Sequence, residues 1–172
     1  MVMTRRRRWE DYDKIIAPDG TEIDMNSLID EQYRAMAALN HLAPSLGGFI
    51  SRLRFVYTFR IPTQATDGFN VFANPQFTHN LDFTGKVFVM AHELMHCLLN
   101  HLERSRTEGY NKPELANIAA DYEVNGTLVD LGLFKEGTVH KLHGLYDGKY
   151  RDKAFETIYD LIKGAPPKDP QS

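Results

Sequence analysis

The sequence predicts a small, mostly helical α+β domain. Three observations carry that prediction. Apolar residues recur at helical spacing in four separate stretches, and one stretch in the first half alternates at strand spacing. The elements then follow in the order helix, two strands, three helices, which is the pattern of an α+β domain. A chain of 172 residues has room for one such core. Its 42% hydrophobic and 25% charged residues are ordinary for a soluble globular protein.

Residues 1–25 read as an N-terminal arm with a turn at Ala17-Pro18-Asp19-Gly20. A helix begins at Asn26 or Ser27, where Leu28, Ile29, Tyr33, Met36 and Leu39 share a face, and Pro44 ends it. In RLRFVYTFR, Leu53, Phe55, Tyr57 and Phe59 alternate with Arg52, Arg54, Thr58 and Arg60, giving a strand with one buried face. Asp67-Gly68 marks a turn, and Phe69–Ala73 forms a second strand stopped by Asn74-Pro75. The expectation is a small antiparallel hairpin or sheet. Asp82 and Thr84 are candidate caps for a helix from about Gly85 to Arg104. Pro113 opens the next helix, which runs to Gly132. Residues 133–151 show no clear period, and a last helix covers about Asp152 to Lys163. The domain is thus residues 26–163, followed by a disordered tail at 164–172.

The net charge of -3 argues against broad binding to nucleic acid. The one basic run, Arg5–Arg8, reads as a solvated arm. With Cys97 as the single cysteine there is no internal disulfide, which suits a reducing compartment. No secretory signal and no bilayer-spanning apolar run is visible, so a cytoplasmic protein without a membrane partner is expected.

Chemistry concentrates in HELMH, residues 92–96. Positions four apart on an α-helix diverge by only about 40°, so His92 and His96 project from one face and can share a metal ion. Glu93 lies beside that face, placed to take a proton from a metal-bound water. Imidazole donors with a neighbouring carboxylate suit Zn2+. A third ligand must come from elsewhere. On an unbroken helix His101 lies about 180° from His92 and faces away, and the intervening CLLN continues the helix. It stays as the alternative ligand. The favoured candidate is Asp121, in the middle of a polar stripe of Asn117, Asp121 and Asn125 on an otherwise apolar helix. Asn125 and Asn117 are then supporting residues, with Asn125 placed to orient a histidine. Glu123 falls off the stripe and is expected to be exposed.

The segments TQATDGFNVFANPQF (63–77), VFVMAHELMHCLLNHLER (87–104), NIAADYEVNGTLVDLG (117–132) and FETIYDLI (155–162) together resemble a metallopeptidase domain that precedes a von Willebrand A-like domain in many bacterial proteins. The resemblance spans roughly 110 residues, well beyond a bare HExxH. It implies a zincin-like fold with zinc on His92 and His96 and Glu93 as the catalytic glutamate, and it leaves the third ligand open between Asp121 and His101. The chain stops where the second domain of longer members begins, so what that domain contributes is expected to be absent or to come from a separate protein. A short standalone version fits a phage or prophage gene.

By analogy with zincins, Phe69, Asn70, Val71, Phe72 and Ala73 are the expected substrate edge, binding extended peptide by strand addition. His140, His143, Tyr146 and Tyr150 are candidates to stabilise the oxyanion. The function expected is a zinc metallopeptidase acting on a peptide or protein. Two alternatives stand beside it: a zinc-stabilised binding module without activity, and a SprT-like protease acting on DNA-bound proteins, supported only by Arg5–Arg8.

Overall fold

A computed structural model describes residues 13–142 and 144–164. The chain divides into two compact units, Met1–Met90 and Ala91–Ser172. The basic run at 5–8 and the tail at 165–172 lie outside the described residues.

In the first unit, much of the expected arm is a hairpin. Strands β1 (Lys14–Ile16) and β2 (Glu22–Asp24) pair antiparallel with Ile15 opposite Ile23. The turn falls where Pro18-Asp19-Gly20 places it, with Gly20 at φ 90° and its N–H donating to the Ala17 carbonyl. Alternation explains the docking: Ile15 and Ile23 share one face of the hairpin and are buried with Met25, Leu28, Tyr57 and Ala73. Helix α1 (Met25–Leu42) starts one or two residues early because Asp24 caps it, its carboxylate accepting from the Ser27 N–H. Its buried stripe is Leu28, Gln32, Ala35 and Leu39. Both polar atoms of the Gln32 amide are buried without a partner. The one-turn helix α2 (Gly47–Ile50) follows.

Strands β3 (Arg54–Tyr57), β4 (Gln64–Thr66) and β5 (Asn70–Ala73) form a sheet in the order β3-β5-β4. This corrects the expected antiparallel pair. The strand at 54–57 runs parallel to β5, and the antiparallel hairpin is β4–β5, turning at Asp67-Gly68. There the Asp67 carboxylate accepts from the N–H groups of Phe69 and Asn70. It also corrects the substrate edge. β5 is the central strand, with Val71, Phe72 and Ala73 paired on both sides, so its backbone has no open edge for a peptide. Phe69 is an exposed turn residue. Asn74 caps a short helix α3 (Pro75–Asn80), accepting from the Gln76 and Phe77 N–H groups.

Helix α4 (Phe83–Leu98) is capped by Asp82 and carries the chain from the first unit into the second. The expected continuation to Arg104 does not occur. Asn100 adopts a left-handed φ of 53°, and a separate turn of helix, α5 (His101–Arg104), starts in a new direction. Asparagine tolerates this conformation better than most residues, which is the local reason the break falls there.

Helix α6 (Pro113–Asp130) and helix α8 (Phe155–Gly164) build the core of the second unit. The small side chains of Ala116, Ala119 and Ala120 let Phe155, Ile158 and Ile162 pack closely, all three fully buried. Between them lie α7 (Glu136–Lys141) and a 3-10 turn at Gly148–Tyr150. No helix among the described residues is long and apolar enough to cross a membrane.

Candidate metal centre

Helix α4 presents His92 and His96 one turn apart, and their Nε2 atoms come within 2.9 Å of each other. Helix α6 brings Asp121 to the same point. Its Oδ1 lies 3.3 Å from His92 Nε2 and 3.2 Å from His96 Nε2. Donors about 2.0–2.1 Å from a tetrahedral zinc stand roughly 3.3 Å from one another, so this triangle fits one such ion. Two imidazoles and one carboxylate are a donor set that zinc accepts. Among the described residues these three form a cluster able to hold a metal ion.

The electrostatics of the cluster follow from its burial and its mutual pairing. Burial alone would lower the His92 pKa, but the hydrogen bond and charge of Asp121 raise it above the usual imidazole value. Burial lowers that of His96. Burial works against the Asp121 carboxylate, yet the two histidines hold its pKa well below the ordinary carboxylate range. Glu93 is 6% exposed, and burial pushes its pKa up to about 7, with the His92 charge opposing and Asp121 adding to the rise. A carboxyl that exchanges its proton near neutral pH therefore sits directly after the first histidine.

Each histidine is held from behind. The Nδ1 of His92 lies 2.9 Å from the side-chain oxygen of Asn125, which can only accept, so His92 carries a proton there and Nε2 is the ring nitrogen that faces the cluster. Asn125 is fixed in turn by donating from Nδ2 to the Leu145 carbonyl at 2.9 Å. Gly144 makes that approach possible, since a Cβ there would stand 2.7 Å from Val139 Cγ1 and 3.3 Å from Asn125 Nδ2. On the other side, His96 Nδ1 lies 3.0 Å from His101 Nδ1. His101 Nε2 donates to Glu123 Oε2 at 2.6 Å. Arg104 clamps this pair: its Nη1 is 3.0 Å from Glu123 Oε2, and Nε and Nη2 donate to the two Glu156 oxygens at 2.8 and 2.7 Å.

Several expectations change here. His101 does not face away, because the turn at Asn100 swings it back until it is buried behind His96. It touches a histidine of the cluster and is not one of the three clustered donors. Glu123 is not exposed; its side chain is 12% accessible and occupied by His101 and Arg104. Asn117 is exposed, at the solvent end of the stripe, whereas Asn125 is buried. His140 is exposed on α7, paired with Glu136 and edge-on to Tyr146. Tyr150 is a core residue packed on Tyr122 at 4.6 Å. His143 lies outside the described residues. Sequence reasoning missed Arg104, Glu156 and the Leu145 carbonyl. The only signal for the first was an arginine three residues beyond His101.

The chain matches the family described as "Putative metallopeptidase domain" over residues 29–170. It belongs to that family. The match takes in every residue of the His92–His96–Asp121 cluster and its supports. No curated protein and no solved structure matches. The family description suggests metal-dependent peptide hydrolysis and names no ion.

Proposed function

We propose that this chain is a zinc-dependent metallopeptidase, zincin-like in arrangement, in which His92, His96 and Asp121 hold the ion. The convergence of three donor atoms beside a buried, near-neutral Glu93 is the observation that carries the reading. Bound zinc supplies Lewis acidity, polarising a carbonyl and lowering the pKa of its water towards 7. Glu93 takes the proton from the attacking water and returns it to the leaving amine, the role a carboxyl with a pKa near the working pH performs best. Asn125 keeps His92 in the tautomer whose Nε2 can bind metal. The substrate is a peptide or protein.

The test is cleavage of a peptide library by the zinc-loaded wild type and by Glu93→Gln. The variant keeps zinc and loses turnover by roughly 10²–10⁴-fold. A variant as active as the parent would remove Glu93 from the mechanism.

A further inference from the structure

The metal reading leaves a buried chain of groups behind His96 without a role. We propose that Glu123, acting through His101, is a positioning residue that fixes the tautomer in which His96 binds metal. The proposal rests on the metal reading above and deepens it. The contact between His96 Nδ1 and His101 Nδ1, 3.0 Å long, joins two ring nitrogens and holds one proton. For His96 to offer Nε2 to an ion, that proton must be on its own Nδ1, and His101 Nδ1 must accept it. A neutral His101 accepts at Nδ1 only if its proton is on Nε2. The Glu123 carboxylate, 2.6 Å from that nitrogen, draws it there. The guanidinium of Arg104, with Nη1 3.0 Å from Glu123 Oε2, supplies the matching positive charge. Arg104, gripped by Glu156, sets the carboxylate in place. The two ligands are thus oriented by different means, an amide behind His92 and a histidine–carboxylate pair behind His96.

Zinc affinity by chelator competition, for the wild type, H101N, H101L and E123Q, tests this alongside 15N NMR of the ring nitrogens in the metal-free proteins. In the wild type, His96 carries its proton on Nδ1 and His101 on Nε2. H101L offers no acceptor, so zinc binding weakens roughly 10–100-fold and His96 becomes a mixture of tautomers. H101N recovers most of that loss, because its amide oxygen stands where Nδ1 stood. E123Q falls between, having kept an acceptor and lost the charge. A wild-type His96 protonated on Nε2, or equal zinc affinities for H101N and H101L, overturns the proposal. If the wild type binds zinc and all four proteins bind it equally, the relay alone fails. If the wild type binds none, the metal reading fails and the proposal with it.

Discussion

Glu93 faces two opposing demands, and they make it measurable. Its burial holds the folded-state pKa at about 7, above the ordinary value of 4.5. The sign follows directly: the protonated form is favoured by folding, so stability is fully present below pH 4.5 and is lost as pH rises through 7. Glu93→Gln removes that penalty. In the metal-free protein its stabilisation over the wild type grows between pH 4.5 and 7 and levels off at up to about 3 kcal/mol, since each pKa unit is worth about 1.4 kcal/mol. Denaturant unfolding of both proteins at pH 5 and pH 8 checks this, and an equal difference at the two pH values would contradict it. At this scale much could be read from the sequence. Spacing alone places His92, Glu93 and His96, and a polar stripe points to Asp121 and Asn125. Glu123 could not be read, because His101 and Arg104 reach it only through a helix break at Asn100 that no periodicity announces.

At the scale of elements, that break is the decisive feature. Cys97-Leu98-Leu99-Asn100 is compatible with continued helix, and the break depends on Asn100 holding a left-handed φ of 53°. Asn100→Gly keeps the turn at little cost, whereas Asn100→Ala costs about 1–2 kcal/mol. Chemical denaturation distinguishes the two. Equal stability for both variants would mean the turn is set by tertiary packing rather than by the residue. Helix α1 offers a second test. The Gln32 amide occupies a core-facing position with neither polar atom paired, so Gln32→Met raises stability by about 1–3 kcal/mol. A loss of that size would show the amide to be satisfied. Strand β4 was unreadable for a simple reason: Gln64-Ala65-Thr66 has no alternation, and its place in the sheet comes from the Asp67-Gly68 turn behind it. Missing β4 made β5 look like an edge strand.

For the whole molecule, the α+β class follows from composition and period, because the apolar stripes of α1, α6 and α8 are long enough to declare themselves. The hairpin at 14–24 escaped notice because three-residue strands carry only one buried side chain each, Ile15 and Ile23. The family match over residues 29–170 suggests the class of chemistry, and the donor cluster offers a place for it. The central claim is that His92, His96 and Asp121 hold one zinc ion. Elemental analysis of zinc per chain tests it most directly, for the wild type and the alanine variants of His92, His96, Asp121 and His101 at saturating zinc. The account predicts one ion in the wild type and in His101→Ala, and essentially none in the other three. Full zinc in Asp121→Ala together with its loss in His101→Ala would contradict it.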